Sequence, residues 1–502
     1  MKRVNTRWRI AMGSIVALSL AGAAQAATVA VDVGTTYQKI SGFGSSTAWS
    51  STMSAADADI LWSTTTGAGL SLHRIHIDDA NGSTSELAIA KLAVARGVTV
   101  WATPWTPPAG DKTNNSTIMG SLSNASAFAT YLKNFVATMK TNGVPIYAVS
   151  AQNEPDANVN YESCVYSPAQ MATWVGGTMG PAFAGSGIKV MAPETQNWCG
   201  LSTFWPVLKA STAFMQYADI IATHEYGCSP TAYPDIAAAG KDFWETEIYD
   251  TDGTEDPGMG SALRVAALIH AAMTVSNMNA WHYWWVYPSG TDNGALWDKG
   301  TGQPSKRLWI MGNFSRYARP GFVRVGATAS PTSGVTVSAY YKASADSLAI
   351  VAINTNTSAT SQAFTISGAT GNSVVPVITD GTRNLVAQSP ITISGNAFTY
   401  SLPSQSVTTL VVKLGTTGIL SNSVEDHGKL QILGGTDGIR IALPTENPGR
   451  LELLAPDGRL LDSRAVPGGT KEFKLGTPAR AGLMVVKLVQ GNASWSTDFV
   501  NP

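Results

Sequence analysis

The stretch 128–155 reads FATYLKNFVATMKTNGVPIYAVSAQNEP, and its grammar decides the fold. Phe128, Tyr131, Leu132, Phe135 and Met139 recur at spacings of three and four, which predicts one apolar helical face. Asn142-Gly143 stops that helix, and Pro145-Ile146-Tyr147-Ala148-Val149 follows as a short β-rich run. Immediately beyond the strand stand Ala151-Gln152-Asn153-Glu154-Pro155, a carboxylate where a strand ends. The same order, helix then glycine then strand, recurs over 86–101 with Gly97 as the stop, and helix 261–275 leads into the aromatic strand from Ala280 to Val286. Units of this kind fill about residues 47–319 and predict a parallel sheet. That span fits the (β/α)8 TIM barrel, typically ~250 residues, better than an open doubly wound sheet. No glycine-rich dinucleotide fingerprint follows any strand, so no nucleotide cofactor is expected.

Outward from the barrel the pattern changes. Residues 320–414 read as short alternating strands, such as Val335-Thr336-Val337-Ser338-Ala339-Tyr340, which predicts a fused β-sandwich side domain. Residues 27–46 are β-like and are expected to supply its N-terminal strands. A linker is expected at 415–425, and 426–502 reads as an extra C-terminal β domain with a Pro456-Asp457-Gly458-Arg459 turn. That turn and the Val485-Val486-Lys487-Leu488-Val489 strand suit a sorting domain for secretion and cell-surface association better than a sugar binder.

Composition narrows the partner. Only 13% of the 502 residues are charged and the net charge is −1, so no electrostatic footprint for nucleic acid exists. Fifteen Trp and 15 Tyr in so neutral a chain suit an uncharged partner with flat apolar faces, such as a sugar polymer. Met1-Lys2-Arg3, an apolar run over Ile10–Ala23 and the Ala24-Gln25-Ala26 site predict a secretory signal peptide over 1–26. No later stretch is apolar enough for a membrane span, so an exported monomer is expected. Cys164, Cys199 and Cys228 allow one disulfide and one thiol, match no zinc spacing, and leave the pairing open. No metal is expected.

In a barrel, catalysis belongs at the C-terminal ends of strands, where Glu154 and Glu247 are the candidates. They stand 93 residues apart, three units of about 31, which would bring them together across the mouth. A facing carboxylate pair is what glycoside hydrolysis needs, one attacking the anomeric carbon and the other protonating the leaving oxygen. Glu245 is two residues from Glu247 and on a regular strand would share its face, one layer deeper.

Further motifs are Ser41-Gly42-Phe43-Gly44-Ser45, Leu72-His73-Arg74-Ile75, Thr103-Pro104-Trp105-Thr106-Pro107-Pro108, Tyr161-Glu162-Ser163-Cys164 and Phe314-Ser315-Arg316-Tyr317-Ala318-Arg319-Pro320-Gly321. With Asn153-Glu154-Pro155 and Thr246-Glu247, they give a chain that resembles glycoside hydrolase family 30, in particular its bacterial xylanase branch, over about 28–414. The resemblance implies Glu154 as general acid/base, Glu247 as nucleophile, and Asn153 as the partner of the sugar 2-hydroxyl. Arg74 and Tyr226 would support the nucleophile, and Trp105, Tyr166, Tyr249 and Trp284 or Trp285 would offer sugar platforms, with neighbours on a strand pointing opposite ways. It also implies an endo-β-1,4-xylanase acting on plant cell-wall xylan. One departure stands out. Where the glucuronoxylanase pattern carries an arginine loop gripping a glucuronic acid branch, this chain has Trp284-Trp285-Val286-Tyr287-Pro288-Ser289-Gly290. Lys299 and Lys306 are near in sequence but make poorer forks than arginine, so independence of such branches is expected. The alternatives are a glucuronoxylan-specific xylanase, an endo-β-1,6-galactanase, and a non-catalytic polysaccharide-binding protein.

Overall fold

The structure, a computed structural model, describes residues 27–414 except 81, 253, 291 and 292, together with 430–433, 439–443, 445–454, 460–475, 482–490 and 493–501. The expected signal peptide and linker lie outside the described residues. Nine strands among the described residues lie between positions 29 and 285: β1 (Val29–Lys39), β2 (Gly42–Ser46), β3 (Leu72–Ile77), β4 (Thr99–Pro104), β5 (Ile146–Ser150), β6 (Lys189–Thr195), β7 (Ile220–Thr223), β8 (Asp242–Glu245) and β9 (Ala280–Trp285). Strands β2 to β9 are parallel in sequence order and close into a barrel, β9 returning to β2 through pairs such as Gly42↔Ala280 and Ser45↔Tyr283. The fold is therefore a (β/α)8 TIM barrel.

The helix of the opening stretch runs Ala125–Thr141 and buries Phe128, Leu132, Phe135 and Met139, the face its spacing demands. Asn124 caps it by accepting from the Ala127 amide, and β5 follows. Inside the barrel, Leu72, Trp101, Ala148, Met191, Ile220, Ala222, Trp244 and Ala280 form one buried cluster. Two tryptophans against alanines fill the interior by alternating large and small side chains, so the barrel is plugged and its mouth has a solid floor. Trp101 Nε1 donates to His282 Nε2 at 3.1 Å, which satisfies the indole within that floor.

The barrel begins five residues earlier than the sequence suggests. Gly42–Ser46, expected in the side sandwich, is the first barrel strand. Its glycines and serines carry no β-branched signal because the neighbouring strands leave no room: a Cβ on Gly44 would lie 2.6 Å from His282 Cδ2 and 2.7 Å from the Leu72 carbonyl oxygen. β1 alone joins the side sheet, antiparallel to Val323–Ala327 and parallel to Thr360–Ser367. The sheet is thus not wholly antiparallel. β1 comes from the far end of the sequence and no hairpin fixes its direction.

The described residues form two compact units, one running up to Gly368 and including Asn372–Lys413, the other comprising Ala369–Gly371 and the residues from Leu414 on. In the second unit Gly482–Gln490 pairs with Gly449–Leu454 and Ala493–Asn501, and a three-stranded sheet joins Gln431–Leu433, Ile439–Ala442 and Glu472–Leu475. Leu430, Ile441, Leu451, Leu453, Val466, Val486 and Leu488 are buried there, giving it an apolar centre of its own. The cysteine question left open by spacing is answered: Cys199 and Cys228 form the disulfide, and Cys164 is a buried thiol. No helix among the described residues is long and apolar enough to cross a membrane.

Candidate active site

Leu72 points into the barrel plug, so alternation along β3 aims Arg74 at the mouth. Arg74 is fully buried and organises the site. Its Nη1 donates to Glu247 Oε2, and its Nη2 donates to Asn153 Oδ1 at 2.6 Å and Glu194 Oε1 at 2.7 Å. The Trp105 ring lies 4.6 Å from the guanidinium carbon and Trp284 5.8 Å, so the cation has aromatic neighbours as well as anionic ones. Glu247 accepts a second bond, 3.0 Å, from Tyr226 Oη.

Glu154 stands just beyond β5 with φ 44°, and Glu194 on β6 has φ 62°. Left-handed backbone at two non-glycine residues costs about 1–3 kcal/mol each, and such strain is concentrated at functional sites. The Glu154 amide donates to the Glu194 carbonyl at 3.0 Å, tying the two bent segments together. Tyr161 Oη donates to Glu154 Oε2 at 2.8 Å, and His224 Nδ1 lies 3.2 Å from Oε1. The other imidazole nitrogen lies 3.5 Å from Glu194 Oε1 and 3.9 Å from Glu247 Oε2.

Two cations thus face three carboxylates in a buried place, and this sets their proton affinities. Burial alone would lower His224, but Glu247, Glu154 and Glu194 raise it to about 10. Burial would raise Glu194, but Arg74 and His224 hold it at about 2. Glu154 is also raised by burial, yet the bonds from His224 and Tyr161 bring it below its ordinary value. For Glu247 burial prevails over His224 and Arg74, and its affinity is raised.

Of the residues expected from sequence, Arg74, Asn153, Glu154, Tyr226 and Glu247 come together, with Trp284 half-buried beside them; Trp105 is 2% exposed and packs on the Arg74 guanidinium, so it is no open sugar platform. Tyr249 is half-buried and packs edge-on against Tyr226, ring centroids 5.6 Å apart. Trp284 is the member of the tryptophan pair near Arg74, whereas Trp285 Nε1 donates to the Ala48 carbonyl. Tyr166 is not a platform. It is 3% exposed in the hydrophobic core, and no sugar face can reach it. Glu245 does not sit beneath Glu247 facing the barrel axis either. Regular β8 ends at Glu245, Trp244 fills the barrel, and Glu245 accepts from the His282 amide with its side chain fully buried. The two-residue rule fails because Glu247 lies past the strand's end.

Sequence reasoning missed Glu194, His224, Tyr161 and Trp49. Glu194 carried a visible signal, for it ends a strand as Glu154 does. Trp49 carried none: it lies on the loop after β2, 42% exposed, with its ring 4.9 Å from Trp105 and 6.2 Å from Trp284. Atoms of Glu154, His224 and Glu247 lie within 4.8 Å of one another. A metal ion could use that spacing, but a protonated His224 and Arg74 already supply its positive charge.

A TIM barrel whose C-terminal mouth holds a close carboxylate pair, with the exposed rings of Trp49 and Tyr161 nearby, belongs to the class of barrel glycoside hydrolases. The chain is a member of glycosyl hydrolase family 30, whose TIM-barrel domain matches residues 79–305. It is 35% identical over 405 residues to the glucuronoxylanase XynC of Bacillus subtilis strain 168, spanning 77% of this chain and 92% of that protein. The family 30 subfamily 8 xylanase Xyn30A of Clostridium acetobutylicum superposes with a TM-score of 0.71 at 37% identity, covering 77% of this chain and 99% of that one. A family 30 endoxylanase of Clostridium papyrosolvens C71 gives 0.67 at 34% identity, covering 77% and 100%.

Proposed function

We propose that this protein is an exported, retaining endo-β-1,4-xylanase that cleaves the xylan backbone without needing glucuronic acid branches. The observation that carries the mechanism is the carboxylate spacing. An oxygen of Glu154 and one of Glu247 lie within 4.8 Å, close to the ~5–5.5 Å of retaining enzymes and short of the ~6.5–9.5 Å that leaves room for an attacking water. In the first step a Glu247 oxygen bonds to the anomeric carbon as the glycosidic C–O bond breaks, and a proton passes from Glu154 to the leaving oxygen. In the second, Glu154 takes a proton from water, whose oxygen displaces Glu247 and restores the original configuration. Donors decide which carboxylate does which. Both Glu247 oxygens accept from groups that stay protonated, Arg74 and Tyr226, which suits an anion. Glu154 faces His224, which can itself carry a proton, and that pair holds the transferable one. The surrounding charges lower the proton affinity of Glu154 and burial raises that of Glu247, opposite to these roles, but both carboxylates face His224, so the order belongs to the pair.

Independence of glucuronic acid rests on the segment after β9. Tyr287 Oη there donates to Asp57 Oδ2 at 3.0 Å. Of the nearby lysines, Lys306 Nζ is engaged elsewhere, with Asn384 Oδ1 at 2.7 Å, while Lys299 Nζ donates to the Ser289 carbonyl of this same segment at 3.3 Å and is a single ammonium without the bidentate fork of an arginine. A charged anchor for a branch carboxylate is worth about 2–5 kcal/mol, enough to make cleavage depend on it. Glucuronoxylan, arabinoxylan and linear xylan should be cut at comparable rates in product-mass assays. A hundredfold preference for glucuronoxylan would favour the second reading, to which the similarity to XynC points, and cleavage of β-1,6-galactan alone would move the protein to another substrate. Export rests on residues 1–26, and cell-surface association on the C-terminal β unit.

Tyr161 gives a further expectation. Its hydroxyl stabilises the Glu154 anion, so Tyr161→Phe should raise the Glu154 pKa. Glu154 must be protonated for the first step, so the alkaline limb of kcat/KM should move to higher pH. An unmoved limb would remove Tyr161 from the proton path.

A further inference from the structure

Beside the aromatic mouth, the loop after β2 and the segment after β9 border a shallow, open depression of about 650 Å³, lined by Trp49, Ser50–Ser54, Asp57 and Tyr287. The catalytic steps above use none of these groups. Small-molecule sites typically span about 300–1,000 Å³, so the space suits a sugar ring. Its walls combine two aromatic rings with the hydroxyls of Ser50, Ser51, Thr52 and Ser54, and its one charge is the Asp57 carboxylate. No cation lines it. The depression is continuous with the cleft through Trp49, whose ring touches those of Trp105, Trp284 and Trp285. Trp49 is 42% exposed, an unusual setting for a tryptophan.

We propose that this depression is an accessory sugar subsite that takes one uncharged pyranose or furanose unit of the bound polysaccharide, and that Asp57 turns uronic acids away from it. Rings stack on Trp49 and Tyr287 while the serine and threonine hydroxyls and Asp57 take hydroxyl partners. A carboxylate on the sugar would meet Asp57 with no cation among the described lining residues to neutralise either charge. The unit has two possible sources, a further residue of the backbone or a neutral branch, and both present the same chemistry. The inference rests on the xylan reading for its substrate but not for its chemistry.

The test fills the depression from an exposed loop position. Ser51→Trp is compared with the unaltered enzyme on an aryl xylobioside, on linear xylohexaose and on arabinoxylan. The aryl substrate lays the fewest sugars along the cleft, and its hydrolysis should be the least affected, which also shows that the variant folds. We expect kcat/KM to fall about tenfold on the longer substrates: on both if the unit belongs to the backbone, on arabinoxylan alone if it is a branch. Unchanged rates on all three would overturn the subsite. If the unaltered enzyme cleaves no xylan, the substrate reading has failed. The depression is then tested by calorimetry, adding neutral and uronic-acid-bearing oligosaccharides to full-length Glu247→Gln with and without Ser51→Trp. Binding of neutral sugars that Ser51→Trp abolishes supports the subsite, and equal binding by the two proteins overturns it. Asp57→Asn should narrow the gap between neutral and uronic acid ligands, and an unchanged gap would remove Asp57 from that role.

Discussion

Replacing Glu247 with alanine should cut kcat by about 10⁴-fold or more, because the variant loses the group that forms the covalent intermediate. A tenfold change is about 1.4 kcal/mol, so the loss exceeds about 5 kcal/mol, more than any single hydrogen bond in the site contributes. Azide should restore turnover and give a glycosyl azide of inverted configuration, since a small anion enters the space the carboxylate left and attacks the same face. Glu154→Ala should behave differently. An aryl xylobioside, whose leaving group needs little protonation, should still form the glycosyl-enzyme, and azide should then give a product of retained configuration. Glu245→Gln should leave the chemistry intact, because Glu245 lies in the strand wall against the His282 amide. Near-full activity in Glu247→Gln, or inverted azide product from Glu154→Ala, would reverse the assignment.

The barrel and its carboxylate pair were legible in sequence for a physical reason. Helix and strand periods differ, so 128–155 announces a βα unit, and counting such units places Glu154 and Glu247 three strands apart. What escaped was whatever regular alternation does not govern. Glu194 itself turns at φ 62°, Glu245 does not share the face of Glu247 because regular β8 stops between them, and in Gly42–Ser46 glycine and serine stand where close approach leaves no room for β-branched side chains. The Tyr166 expectation failed for the converse reason. A tyrosine on a loop reads as exposed, yet this loop folds back under Pro155, whose carbonyl accepts from the Tyr166 amide at 3.0 Å. The Cys199–Cys228 bridge depends on loop paths after β6 and β7 that no spacing encodes.

Arg74 and Glu194 carry the largest stability effect in the site. Arg74→Met leaves Glu194 and Glu247 buried without their guanidinium, and breaking a buried ion pair from one side typically costs about 3–5 kcal/mol. Arg74→Lys should fold better but recover little activity. An ammonium can neutralise charge but cannot hold Glu247, Asn153 and Glu194 at once in the planar geometry of the guanidinium. Glu194→Gln provides the pH-dependent counterpart. The Glu194 carboxyl is held at about 2, below its ordinary 4.5, so the stability it contributes is present above the unfolded value and fades as pH falls from there toward 2. A depression of that size corresponds to something on the order of 3 kcal/mol, so unaltered protein should resist urea more than Glu194→Gln at pH 6, with the difference shrinking toward pH 3. An equal difference at both pH values would mean that Glu194 stabilises the barrel by packing alone. The variant should also bring down the His224 pKa, because one of the three carboxylates that raise it has gone. With His224 less often protonated, the pair it forms with Glu154 holds its transferable proton less well at neutral pH. The alkaline limb of kcat/KM should therefore move to lower pH in Glu194→Gln, opposite to the shift expected for Tyr161→Phe, and that opposition separates an effect on His224 from one on Glu154 itself.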